Sequence, residues 1–479
     1  MRVAIVHYHL EPGGVTRVIE NTLDSFAQEI ESPQFVVLTG RKYPGDKIKN
    51  VQIVEGLDYS SPANSISPSV LKERLETAAK VGLGGKPDIW HIHNHSLGKN
   101  ASLTKAVALL AEDANPMLLH PHDFAEDGRP SNFSALKDTY SSAYPSSSTV
   151  HYATLNHRDH TFLKKIFSAK ASTVHLLANA ISIPSSTREV NTLPHPELPD
   201  HLFLYPVRAV RRKNLGELAL IAASYPEKQF ANSLGPTNPQ FLPIFERWEQ
   251  FSNNINLPVT FALGEKTTVS FPEMVQHAEG ILTTSIAEGF GLGFLEPWMS
   301  EKFLCGRNIP EITQDFSNLG INLNHLYHRL NINLEHLHDK GALKSKIQTV
   351  LEHFFLEYGQ EMPNNATETA YRSIVQNDQV DFGRLDEALQ EEIILSISKS
   401  TQAREEIRSQ VRLEKIDPKI IQKNKESITE NFAQKSYTTK LKLIYEEILH
   451  SKQDRLEYAH GEHLLDSFLS PARLNLLRT

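Results

Sequence analysis

Residues 285–297 read Ser-Ile-Ala-Glu-Gly-Phe-Gly-Leu-Gly-Phe-Leu-Glu-Pro, a glycine-rich turn bracketed by two carboxylates, Glu288 and Glu296. Backbone amides in such a turn can approach a phosphate where a helix begins, because free N–H groups and the helix dipole favour an anion there. Two carboxylates beside an anion are electrostatically odd unless each accepts hydrogen bonds from hydroxyls, which sugar and ribose rings supply. The combination suggests a sugar nucleotide. Upstream, residues 205–215 carry four cations, Arg208, Arg211, Arg212 and Lys213. Arg is suited to bidentate contact with a diphosphate and Lys acts as a point charge. The plain alternatives are a glycine turn with solvated glutamates and a solvated basic loop.

A different chemistry is written in the histidines. His91-x-His93-x-His95 and His120-x-His122 both stand at predicted strands, and alternate residues of a strand share a face, so two or three imidazoles could converge on a metal ion. That arrangement would suit a metal-dependent hydrolase. Strand histidines are also common as hydrogen-bonded core groups.

The elements that must position these residues are read from hydrophobic periodicity. Residues 3–8 form a β-rich run, Pro12-Gly13-Gly14 a turn, and residues 15–28 a helical pattern. Strands are predicted again over 35–38, 89–92, 117–119, 152–155 and 173–177, with helices over 70–81 and 103–112. Such alternation predicts a parallel sheet covered on both faces. A stretch rich in Pro, Ser and Thr over 183–198 marks a domain boundary, after which the alternation restarts: strands over 201–206, 259–263 and 280–284, helices over 215–223 and 271–277. From about residue 323 the texture is helical, with helices predicted over 344–358, 384–399, 404–416 and 440–452 and no strand between them. In an open parallel sheet, ligands bind outside the carboxyl ends of the strands, where both motifs lie.

The chain has 479 residues, 40% hydrophobic and 22% charged, with 49 Lys plus Arg against 57 Asp plus Glu, a formal charge of −8. The length implies two or three domains, and the acidic balance argues against a surface built for nucleic acid. The single cysteine, Cys305, closes no intramolecular disulfide, which fits a reducing compartment. The N-terminal apolar run is too short for a signal core or a spanning helix, so a cytoplasmic protein without membrane insertion is expected.

These motifs together resemble the family-4 group of retaining glycosyltransferases with the GT-B fold, over about residues 1–330. The resemblance implies two Rossmann-like, doubly wound domains facing a cleft, residues 1–190 for the acceptor and 196–330 for the nucleotide-sugar donor. Residues 331–479 would be a helical extension that could pack back on the first domain. It implies that Arg208 and Lys213 hold the donor diphosphate, that Gly291, Leu292 and Gly293 cap the phosphates, and that Glu288 and Glu296 contact the donor sugar and the ribose. Gly13 and Gly14 match the family's first glycine loop, and His122 of the His122-Asp123 pair matches its histidine beside the reacting carbon. The later Gly306-Arg307-Asn308-Ile309-Pro310-Glu311-Ile312 resembles the family's glycine-then-P-E-I segment. Val207 stands where the family usually has glycine, and residues 225–258 depart from its pattern.

The reaction this resemblance implies is transfer of a sugar from a nucleoside diphosphate to a small soluble acceptor, with retention, no enzyme nucleophile, no metal and no cofactor. His95, Lys99, Arg129 and Arg158 could hold an anionic acceptor. The rival readings are a phosphate-dependent phosphorylase on the same fold, the histidine-metal hydrolase, and a sugar-nucleotide sensor whose helical tail docks a partner. The base, the sugar and the oligomeric state are left open by the sequence.

Overall fold

The computed structural model describes residues 1–27, 29, 31–60, 65–181 and 195–478; the boundary expected over 183–198 falls largely outside them. The predicted β-rich runs become strands β1 (Arg2–Val6), β2 (Gln34–Thr39), β4 (Ile89–His93), β5 (Met117–His120), β7 (Val150–Thr154) and β8 (Val174–Leu176), and two short strands lie outside those runs, β3 (Val51–Ile53) and β6 (Pro145–Ser146). Seven of them form one sheet in the order β3-β2-β1-β4-β5-β7-β8, and every pair in it is parallel. Helices cover both faces, as near-continuous burial of β1, β4, β5 and β7 requires.

A second sheet restarts with β9 (Leu202–Arg208), β10 (Gln229–Leu234), β11 (Val259–Thr260), β12 (Gly280–Thr283) and β13 (Leu304–Gly306), ordered β11-β10-β9-β12-β13 and again parallel throughout. The expected pair of doubly wound α/β sheets is therefore present. The chain divides into two compact units, Met1–Ser182 with Glu357–Gly359 and Asn431–Ser470, and Ile183–Leu356 with Gln360–Glu430 and Pro471–Thr479. In each sheet the strand order reverses beside the first strand, between β1 and β4 and between β9 and β12. Those reversals fix where a ligand crevice opens. Arg208 is the last residue of β9, and residues 284–288 leave the end of β12.

The helical tail is present, in the helices Lys340–Glu357, Ala366–Ile374, Glu387–Ser398, Thr401–Gln410, Pro418–Phe432 and Gln434–His450. The helix Gln434–His450 covers one face of the first sheet: Tyr437, Leu441, Ile444, Tyr445 and Ile448 pack with Val3, Ile5, Ile89, Leu118 and Ala153. Its Tyr445 hydroxyl meets His91 Nδ1 at 2.8 Å, and Tyr437 meets Thr22 at 3.0 Å.

Three features differ from the sequence reading. β10 and the helix Leu242–Asn254 occupy residues 225–258, where no element was predicted. β10 carries Asn232 and Ser233 in buried positions, and polar residues there erase the apolar signature of a strand; Asn232 is satisfied by the Leu234 carbonyl and the Ala262 amide. The tail also contains a small antiparallel sheet, β14 (Asn331–Asn333), β15 (Val375–Gln376) and β16 (Gln379–Asp381), and β17 (Glu457–Tyr458) pairs with β6. Strands of two or three residues are too short to show a period of two. Finally, the helix expected near Leu292 is a single 3-10 turn, Leu292–Phe294, followed by the short helix Glu296–Met299.

In the second unit, Arg307 lies buried just after β13. Its guanidinium donates to Glu217 at 2.7 and 2.8 Å and to Asp381 Oδ1 at 2.9 Å, while Tyr327 donates to Glu217 at 2.7 Å. The chain reaches that point through Gly306 at φ +111°, where an added Cβ would lie 2.1 Å from the Thr283 carbonyl oxygen. The network joins the helix Leu215–Ser224, β13 and β16. Removing the cation would leave two buried carboxylates facing each other. Arg307→Met is expected to destabilise this unit by about 3–5 kcal/mol, read as a fall in the urea midpoint; an unchanged midpoint would show that the network contributes little.

Candidate functional site

The cationic segment of the second unit forms a 3-10 turn, Arg211–Lys213, leading through Asn214 at φ +51° into the helix Leu215–Ser224. Residues 284–288 are tied to it by backbone and hydroxyl contacts. The Ile286 amide donates to the Arg212 carbonyl at 3.0 Å, and Thr284 Oγ1 donates to the Lys213 carbonyl at 2.9 Å. Beneath them, the Tyr205 hydroxyl and Ser285 Oγ are 2.6 Å apart. The two motifs singled out in the sequence are thus one structural unit.

At its centre Glu288 accepts from Lys213 Nζ and, at 2.7 Å, from Arg212 Nη1. Arg212 also donates to the Ala287 carbonyl at 3.0 Å. The Glu288 side chain is only 13% exposed. Burial alone would raise its carboxyl, but Lys213 and Arg212 outweigh burial and hold it down at about 2. Burial likewise pushes the Lys213 ammonium down, against the pull of Glu288. The other cations are engaged elsewhere: Arg211 makes a bidentate pair with Glu387 at 2.7 and 2.9 Å, and Arg208 Nη1 donates to the Gly235 carbonyl at 3.0 Å. Sequence reasoning saw Arg212 in the cluster without a role, although it is one of the two cations paired with Glu288.

The glycine turn comes next in the chain. Gly291 adopts φ +94° with Ile312 and Phe294 each 3.1 Å from where a Cβ would sit, so glycine is required there. An added Cβ on Gly293 would meet nothing within 4 Å. Leu292 is partly buried, and Glu296 is exposed at the start of the helix Glu296–Met299.

In the first unit, Gly13 is the exposed N-cap of the helix Gly14–Phe26, in the loop that leaves β1, and Gly14 is open on its side-chain face. His122, just past β5, is buried. Its Nε2 lies 2.8 Å from His93 Nδ1, and its amide donates to Asn94 Oδ1 at 2.7 Å. Asn94 itself sits at φ +55°, so an amide side chain in the left-handed region caps this turn. Burial pushes the His122 imidazole down to about 4, which keeps it neutral near pH 7. His91, His93 and His120 do converge, with ligand nitrogens within 4.8 Å of one another; His95 points elsewhere.

Among the residues expected at an acceptor, two are core groups. His95 is fully buried with Nε2 2.9 Å from the Ala143 carbonyl oxygen. Arg158 is buried against Asp159 at 2.7 Å and Asp127 at 3.3 Å, with its guanidinium over Phe468. Both side chains are buried within the first unit. Lys99 lies partly exposed over the Tyr59 ring, and Arg129 is half-buried, bonded to Asp123 at 2.5 Å.

Comparison with known proteins gives this geometry its context. No protein-family model matches the chain. It is 26% identical over 341 residues to mannosylglucosyl-3-phosphoglycerate synthase of Petrotoga mobilis, a match spanning 66% of each chain and so just under two thirds of that relative. Among solved structures it is similar to Anabaena HepE, solved with UDP and glucose, with a TM-score of 0.54 and 11% identity over 93% of this chain and 99% of that one. This is the GT-B fold. The catalytic domain of starch synthase IV from Arabidopsis thaliana, bound to ADP and acarbose, gives a TM-score of 0.51 and 11% identity over 94% of this chain and 99% of that one. The chain thus shares the fold of these solved structures and is similar in sequence to the Petrotoga enzyme. Among the described residues, no helix is long and apolar enough to cross a membrane.

The ion pairs of Glu288 set an acid dependence. A carboxyl held below its ordinary value of 4.5 contributes stability that is fully present above about pH 4.5 and lost as pH falls toward about 2. Stability of the wild type should therefore fall more steeply over that window than stability of Glu288→Gln, measured by urea unfolding at a series of pH values. Parallel profiles would show that Glu288 is not held down in the folded protein.

Proposed function

We propose that this protein is a glycosyltransferase that moves a hexose, with retention, from a nucleoside diphosphate sugar to a small anionic acceptor. The observation that carries the reading is Glu288 between Lys213 and Arg212 at the strand reversal of the second sheet. A carboxylate and two cations there suit a ligand with a diphosphate at one end and hydroxyls at the other. Lys213 and Arg208 bind the diphosphate, the turn around Gly291, Leu292 and Gly293 offers amides to it, Glu288 orients the sugar through its hydroxyls, and Glu296 takes the ribose. Gly13 and Gly14 leave room for a phosphate close to backbone.

In the transfer, the bond from the anomeric carbon to the diphosphate oxygen breaks as the acceptor hydroxyl forms a new bond on the same face. The hydroxyl proton passes to the departing oxygen. Negative charge grows on the diphosphate, so Lys213 and Arg208 stabilise the transition state more than the bound donor. His122, neutral and oriented by His93 and Asn94, is suited to a hydrogen bond with the sugar near the reacting carbon. No metal or other cofactor enters this scheme. The acceptor reading draws on Lys99 and Arg129, and on the Petrotoga relative, named for a product that contains a phosphoglycerate and is therefore anionic. HepE was solved with UDP and starch synthase IV with ADP, so the base is a matter for experiment.

Thermal unfolding with UDP, GDP, ADP and inorganic phosphate in parallel tests the donor class. One nucleotide at about 100 times its dissociation constant should stabilise the protein by ~2.7 kcal/mol. A response to phosphate alone would instead indicate a phosphorylase, and no response to any of them would overturn the donor site. With the donor known, Glu288→Ala and Lys213→Ala should each lower turnover by at least about tenfold, or ~1.4 kcal/mol, with unchanged circular dichroism. Wild-type rates in either variant would remove that residue from the mechanism.

A further inference from the structure

A second cluster of chemistry-bearing residues lies in the first unit, apart from the residues assigned to transfer. His151 is the second residue of β7 and His175 the middle residue of β8. The strands pair in parallel with Ala153 opposite His175, so both imidazoles emerge on the face that carries Ala153. The helix Gln434–His450 packs on that face through Tyr445 and Ile448, and it brings Glu447 to the pair. The ligand atoms of His151, His175 and Glu447 all lie within 4.8 Å of one another. His151 is buried, His175 half-buried and Glu447 exposed.

The histidine pair is arranged as metal-binding imidazoles are. His151 Nε2 lies 3.0 Å from the Ser148 carbonyl oxygen, which can only accept, so Nε2 carries the proton and Nδ1 presents its lone pair. That Nδ1 is 2.8 Å from His175 Nε2. A ring nitrogen fixed by a backbone carbonyl on its far side is the usual outer support of a metal-bound histidine. The supporting turn is itself clamped to the chain just after the helix, since the Ser148 amide donates to Asp454 at 2.7 Å and its hydroxyl to the Lys452 carbonyl. Lys164 opposes a cation electrostatically, and the Glu447 carboxylate offsets it.

We propose that His151, His175 and Glu447 bind one divalent transition-metal ion of the zinc type, with a remaining position open to water. Two nitrogens and a carboxylate oxygen suit Zn²⁺, and bond lengths of about 2.0–2.2 Å need the two nitrogens to part only to about 3.3 Å. The ion joins β7, β8 and the helix Gln434–His450. It lies near the amino end of β7, whereas ligands of a parallel sheet bind at the carboxyl ends, so its role is to fasten the helix to the sheet.

The test is a titration of the chelator-stripped full-length protein with Co²⁺ and Zn²⁺, following the cobalt absorption and the thermal midpoint. The expected result is one saturable equivalent and a higher midpoint with Zn²⁺. Both should be lost in His175→Ala, and Glu447→Gln should bind at least about tenfold more weakly. His93→Gln, which alters the other histidine cluster, should bind as the wild type does. No saturable binding, or binding that survives both His175→Ala and Glu447→Gln, would overturn the proposal. So would binding lost only in His93→Gln, which would put the ion among His91, His93 and His120.

Discussion

The second unit depends on one buried cation. Arg307 is surrounded by Glu217, Asp381 and Tyr327, and burying that many charges is tolerable only because each remains hydrogen-bonded to another. Glu217 lies in the first turn of the helix Leu215–Ser224, where a negative charge also complements the helix dipole. Fixing this helix fixes its start, and the start carries Lys213. Asn214 adds a second tie: its Nδ2 donates to Glu217 at 2.9 Å, and its Oδ1 accepts from Gln390 at 3.0 Å. The placement of Lys213 is thus set by a network of residues spread through the sequence.

Glu288 meets a site arranged in advance. Its carboxylate neutralises Lys213 and Arg212, so two cations that would repel each other in a half-buried turn are held together. On the proposed reading, a diphosphate arriving here competes for the same cations, and the carboxylate it displaces gains sugar hydroxyls as new donors. Exchange of one anion for another changes the local charge less than filling a bare cationic pocket would. Arg211 stays apart from that exchange because Glu387 holds it in a fork.

The sequence made the sheets legible wherever strands were buried on both faces, as in β1, β4, β5 and β9, because burial demands continuous apolar runs. It also singled out the cationic segment and the glycine-rich turn, which the fold joins through Glu288, Arg212 and Lys213. Gly291 illustrates the point: its positive φ and close neighbours explain the residue type directly. What escaped was structure stabilised by polar satisfaction instead of periodicity. β10 is a central strand whose Asn232 and Ser233 bond to the carbonyls of Leu234 and Val207, and nothing in a hydropathy pattern reports such bonds. The partnership of Arg307 with Asp381 was equally hidden, since it spans distant residues.

The histidines show why residue type alone misleads. Five of them, 91, 93, 95, 120 and 122, lie in or just after β4 and β5, and the same spacing permits a metal site, a proton path or a dry core. The structure separates these by their partners. His91 is bound to Tyr445 and His120, His95 to a backbone carbonyl, and burial drives all five imidazoles toward the neutral form. Among the described residues no carboxylate joins the His91, His93 and His120 group, so a divalent ion there would bring two positive charges into a buried place with neutral ligands, at a large desolvation cost. His151 and His175 differ by one neighbour, Glu447, which supplies the negative charge and borders solvent. A single carboxylate on a helix that the sequence shows only as amphipathic decides which histidine cluster suits a cation.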